Sequence, residues 1–115
     1  NNIHLVLGTS EECLENVINS NKNDKVSFWL DAHFSKGGTF EGSKHCPVLE
    51  ELDIIKKHLS KFNEINILID DFSNFNNFTE RTKKINFPDY KLLLEWAKEN
   101  KFKWFVSRDI LVLNR

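Results

Sequence analysis

Four residues able to do acid–base or metal chemistry stand at the ends of two apolar runs. Val26-Ser27-Phe28-Trp29-Leu30 leads into Asp31-Ala32-His33, and Ile65-Asn66-Ile67-Leu68-Ile69 leads into Asp70-Asp71. Runs this apolar read as buried parallel strands, because a strand covered on both faces loses the alternation of a half-exposed one. In an open α/β sheet, ligands bind in the crevice beyond the carboxyl ends of the strands. Neighbouring strands lie about 5 Å apart, so adjacency of these two would crowd Asp31, Asp70 and Asp71. Crowded carboxylates must take up a proton or a cation. An all-carboxylate set favours Mg²⁺, Mn²⁺ or Ca²⁺. His33 adds an imidazole that titrates near neutral pH and is suited to act as a general base.

Each of these residues also has a structural explanation. A strand-end Asp caps the following turn through Asx bonds. Successive strand residues point to opposite faces, which leaves open whether Asp70 and Asp71 both face the crevice. His45-Cys46 lacks the paired spacing of a zinc site. No G-x-S-x-G elbow supports a serine hydrolase. Gly37-Gly38 has no phosphate-binding fingerprint around it.

The elements that must position these residues alternate along the chain. Ile3-Leu7 reads as a first strand, stopped by Gly8. Thr9-Ser10-Glu11-Glu12 has the spacing of a capping box and opens a helix whose apolar face is Cys13, Leu14, Val17 and Ile18. Val26-Leu30 is the second strand, followed by a long loop from Asp31 to Cys46. Pro47 starts a helix with Val48, Leu49, Leu52, Ile55 and Leu59 on its apolar face. Ile65-Ile69 is the third strand. A second polar loop then carries Phe72, Phe75 and Phe78. Pro88 starts a helix with Tyr90, Leu93, Leu94 and Ala97 facing inward. Two strands around Trp104-Val106 and Ile110-Leu113 close the chain as an antiparallel pair. The expected fold is α/β, a doubly wound, mostly parallel, Rossmann-like sheet with a C-terminal antiparallel hairpin.

Composition narrows the function classes. The 115 residues are enough for a single domain, 1–115, with a modest core. A net charge of -1 offers no basic field for a nucleic acid backbone. No apolar run approaches membrane-spanning length, and no leader is visible. Two cysteines, Cys13 and Cys46, suit a reducing, cytoplasmic compartment. Methionine is absent and the chain starts almost inside an apolar run, as a piece of a longer polypeptide would.

Leu7-Gly8-Thr9-Ser10-Glu11-Glu12-Cys13-Leu14 after a strand, Trp29-Leu30-Asp31-Ala32-His33 ending the next, and Leu68-Ile69-Asp70-Asp71 ending a third together resemble the C-terminal half of a class I S-adenosylmethionine-dependent methyltransferase. The closing hairpin is similar too, since the family's last strand is antiparallel. Phe28 to Ser35 with Gly37-Gly38-Thr39 further resembles methyltransferase-like proteins met beside sugar and surface-polysaccharide genes.

Some relatives, sugar O-methyltransferases acting on macrolides and aminocoumarins, hold Mg²⁺ with an Asp closing one strand and an Asp-Asp pair closing the next. Asp31, Asp70 and Asp71 match those ligands, and His33 stands where that family has an acidic general base. The family's Gly-rich loop and ribose-binding acid have no counterpart in this chain. Gly8, Thr9 and Ser10, whose counterparts lie near the adenine, are what remains of a cofactor site.

The resemblance implies part of a metal-dependent O-methyltransferase using Mg²⁺ or Mn²⁺ on a small hydroxylated, sugar-like acceptor. S-adenosylmethionine would bind only together with an N-terminal part. The alternative is a catalytically inactive binding or assembly domain on the same fold. The family's missing strands would sit between Ile3-Leu7 and Val26-Leu30. The chain is therefore expected to re-pair those two strands, to join an N-terminal segment, or to form a homo-oligomer through bare edges.

Overall fold

The computed structural model describes residues 2–31, 46–76 and 87–115. Along them run α1 (Ser10–Ser20), β1 (Lys25–Leu30), α2 (Val48–Lys57), β2 (Glu64–Ile69), α3 (Tyr90–Glu99), β3 (Lys103–Ser107) and β4 (Ile110–Asn114), with 3-10 turns at Leu59–Lys61 and Phe72–Asn74. The strands form one open mixed sheet in the order β1-β2-β4-β3. β1 and β2 are parallel, and their last residues, Leu30 and Ile69, are paired. β4 runs antiparallel to both β2 and β3. The β3–β4 turn places Arg108 and Asp109 at positive φ, 49° and 63°, the conformation that the tight primed hairpin turns require.

Burial follows one face of the sheet. Phe28 and Leu30 align with Ile67 and Ile69, and these with Leu113 and Leu111. All six are buried, in one core with Ile18 of α1, Leu52 and Ile55 of α2, and Leu93, Trp96 and Ala97 of α3. Along the opposite face, Trp29, Leu68, Val112 and Phe105 stand in register across all four strands. Trp29 and Phe105 are 56% and 52% exposed. Beside that row the amide of Asn114 donates to Asn66 at 2.8 Å and that of Asn66 to Ser27 at 3.3 Å.

The described helices therefore cover one face of the sheet. The protein is α/β with a single open, four-stranded mixed sheet, and the doubly wound parallel sheet expected from the sequence is not present. Trp29 and Leu68 make the runs read as buried on both faces, yet they occupy the face that no described helix covers.

Ile3–Leu7 joins no strand of the sheet, contrary to its β-rich composition. Leu5 is 95% and Leu7 102% exposed. A cleft of about 930 Å³, lined by Asn2, His4 and Val6 and by Val26, Ser27 and Phe28, adjoins both this segment and β1. The expected re-pairing with Val26–Leu30 is thus not formed. Apolar composition favours a strand only where a partner edge is within reach.

Other local expectations shift by a residue or two. Pro47 and Asp89 are the caps before α2 and α3, and Asp89 accepts from the Lys91 amide. Thr9 caps α1 through its carbonyl alone, so the predicted capping box is not closed. No described helix is long and apolar enough to cross a membrane.

Candidate functional site

Parallel pairing brings the ends of β1 and β2 level, and the Asp70 amide donates to the Leu30 carbonyl at 3.1 Å. Asp31 and Asp70 therefore leave the sheet side by side. Strand alternation would turn Asp71 away from them, but Asp71 is left-handed, with φ 53° and ψ 43°. Asp is among the few side chains that tolerate this region. The kink breaks the alternation, and the Asp71 amide donates to Asp70 Oδ1 at 2.8 Å. One carboxylate oxygen from each of Asp31, Asp70 and Asp71 then lies within 4.8 Å of the others. Oxygens on one ion stand at most about 4 Å apart for Mg²⁺ and about 5 Å for Ca²⁺, so a spacing of up to 4.8 Å could be spanned by one Ca²⁺ and would have to contract slightly around Mg²⁺.

The kinked turn is tied down from the far side of the sheet. Asp109, in the β3–β4 turn, accepts from the Phe72 amide through its carbonyl at 2.9 Å. Its carboxylate accepts from the Ser73 amide at 2.7 Å and from the Ser73 hydroxyl at 2.9 Å. Below the turn, Phe75 packs edge-on against Phe87 with ring centroids 4.9 Å apart.

Neither family models, curated proteins nor solved structures give a match to this chain. The site is accordingly read from its own chemistry.

Behind the carboxylates lies a small cavity of about 10 Å³, lined by Leu30, Asp31, Cys46, Glu51, Asp70 and Phe75 among others. That volume is about one water molecule. Glu51, on the first turn of α2, is 1% exposed. Burial, aided by the nearby charges of Glu11 and Glu50, pushes its carboxyl up to about 7, against the pull of the Ser10 hydroxyl. Burial likewise pushes the Cys46 thiol up to about 12, so in the absence of a metal Cys46 keeps its proton at neutral pH.

The sequence-predicted residues thus divide into three groups. Asp31, Asp70 and Asp71 are brought together. His33 lies outside the described residues, as do Gly37-Gly38 and His45. Gly8, Thr9 and Ser10 form the turn into α1, with Gly8 at φ 144°. The Thr9 and Ser10 hydroxyls are buried and find no well-aligned hydrogen-bond partner, and Ser10 lies against Glu51.

Two residues escaped the sequence reading. Glu51 carried a signal: it falls three residues after Val48 and four before Ile55, on the apolar face of α2, where a carboxylate is out of place. Asp109 carried none, since its contact with Ser73 spans 36 residues.

Proposed function

We propose that the protein uses Asp31, Asp70 and Asp71 to hold a divalent cation, and with it a small hydroxylated acceptor, as the metal-and-acceptor part of an O-methyltransferase-like enzyme. The convergence of the three carboxylates within 4.8 Å carries this reading. It is supported by their place beyond the carboxyl ends of two parallel strands. It is also consistent with the antiparallel last strand, β4, a feature of the methyltransferases that the sequence resembles.

A divalent cation bound there would polarise acceptor hydroxyls and lower their pKa. The protein's own groups do the rest. Asp31 and Asp70 are fixed by the paired strand ends, Asp71 by its left-handed turn. His33, two residues past Asp31, is the group assigned to take the proton.

Mass action supplies the test. Mg²⁺ or Mn²⁺ should raise the melting temperature of the folded chain, and Asp31→Asn or Asp70→Asn should abolish the rise. An unchanged wild-type melting curve at millimolar metal defeats the reading. A second reading, a binding or assembly domain without catalysis, is favoured by one observation, the apolar row Trp29-Leu68-Val112-Phe105 on the face that no described helix covers.

A further inference from the structure

β1 stands at one end of the described sheet, and its hydrogen bonds fix which of its residues face outward. The Asp24 carbonyl accepts from the Glu64 amide at 3.3 Å, and the Leu30 carbonyl from the Asp70 amide at 3.1 Å. Both carbonyls therefore face β2. Successive residues of a strand turn their backbone groups to alternate sides. Val26 and Phe28 then face β2 as well, while Lys25, Ser27 and Trp29 turn their N–H and C=O groups outward. No strand among the described residues pairs with these six groups. Such a row is a template for another strand. The edge carries neither a proline nor a bulge, and Glu64 already answers the charge of Lys25 at 3.2 Å. The space beside it is open, since Val26, Ser27 and Phe28 line the cleft of about 930 Å³.

We propose that a second copy of this chain occupies the edge, the two β1 strands pairing antiparallel about a two-fold axis through Ser27. The contact joins two four-stranded sheets into one and is independent of the cation reading. Its self-complementarity selects a second copy over a foreign strand. Three residues face outward, and Ser27 is the middle one. Centred there, Ser27 meets Ser27 and Lys25 meets Trp29 twice, so all six outward groups of each copy are paired. A centre at Val26 or Phe28 pairs only two of the three. The side chains agree with this register. The Lys25 ammonium, on a side chain 71% exposed, comes beside a Trp29 ring that is 56% exposed, a cation–π pair. No like charges meet across the strands. Ser27 also ends a chain of hydrogen bonds, Asn114 donating to Asn66 and Asn66 to the Ser27 hydroxyl. A hydroxyl that accepts can also donate, and the second Ser27 extends the polar row across the axis. A strand of other sequence would meet the backbone groups without these matched partners.

The experiment joins mass measurement over a dilution series with cross-linking in a Cys13→Ser, Cys46→Ala background, oxidised glutathione being the oxidant. Residues opposite each other in a hydrogen-bonded antiparallel pair stand about 5.5 Å apart at Cα, within disulfide reach. Ser27→Cys should therefore link to itself. Lys25→Cys alone and Trp29→Cys alone should not, yet a mixture of those two should link one to the other. Ser27→Pro removes the central donor at an edge position that tolerates proline in the monomer. It should weaken the dimer at least about tenfold, the worth of about one lost hydrogen bond, while still folding. A wild-type chain that is monomeric at every concentration overturns the proposal. So does a dimer in which Ser27→Cys fails to link, or one that Ser27→Pro leaves at wild-type affinity, since the contact then lies elsewhere. Equal self-linking of all three cysteine variants overturns the register. If Ser27→Pro does not fold, the cross-linking pattern decides alone.

Discussion

Taking a carboxylate out of water penalises its charged form, and at Glu51 that desolvation outweighs the Ser10 hydroxyl, so the group titrates near 7 rather than at its ordinary 4.5. The folded state then binds a proton that the unfolded state has released. Stability from this group is full below the unfolded value and is lost as pH rises through the folded one. Between about pH 4.5 and 7 the metal-free protein should lose about 3 kcal/mol to this one group, at about 1.4 kcal/mol per unit. Urea melts at pH 5 and 7.5 check it: Glu51→Gln should remove most of the decline, and a decline equal in both proteins would locate it elsewhere. At this scale the sequence disclosed the strand-end acids, because an apolar run ending in Asp is a local pattern. It concealed Glu51, because a helix is read by its apolar positions and a charged residue among them is assigned to solvent. It also left Asp71 undecided, since strand alternation governs only as far as the strand, and the left-handed kink begins one residue beyond Asp70.

Elements decide whether such residues hold their geometry. The Asp70-Asp71 turn has no regular ladder of its own and borrows rigidity from the β3–β4 hairpin. Asp109→Ala removes both acceptors from Ser73 and places a residue averse to positive φ where φ is 63°. The expected loss is about 1–3 kcal/mol, read as a lower urea midpoint, with a smaller melting-temperature rise on adding Mg²⁺ than in wild type. Asp109→Asn keeps a carbonyl acceptor and tolerates the left-handed region, so it should be milder on both counts. Equal effects of the two would mean that the carboxylate does not secure the turn. β1, β2, α2, α3 and the closing hairpin were legible because each carries its period or turn signal within a dozen residues. Ile3–Leu7 was misread for the converse reason. Its pattern is that of a strand, but a strand exists only as half of a pair, and this segment is not paired into the described sheet.

At the scale of the fold, the described residues form two layers, half of what the strand composition suggests. A sheet covered on both faces and one covered on a single face differ only in whether Trp29, Leu68, Val112 and Phe105 have something to pack on, which no local window reveals. The row they form is apolar across all four strands, and Trp29 and Phe105 are more than half exposed at 56% and 52%. Among the described residues β1 is paired on one side and β3 on one side, so each also offers an unpaired edge. Leu5 and Leu7 add exposed apolar surface beside β1. Polar neighbours blunt this only in part: Ser27, Asn66 and Asn114 are bonded mainly to one another, and Lys103 stands at the far margin of the β3 edge. The expected behaviour of the purified chain is association that grows with concentration, a second copy covering the row. Light scattering across a dilution series measures it. Trp29→Lys with Phe105→Lys should shift the mean mass toward the monomer without lowering the Mg²⁺ response, because neither side chain is on the covered face or among the carboxylates. A wild-type chain that stays monomeric throughout would show that the row is tolerated bare, and would remove the observation on which the assembly-domain reading stands.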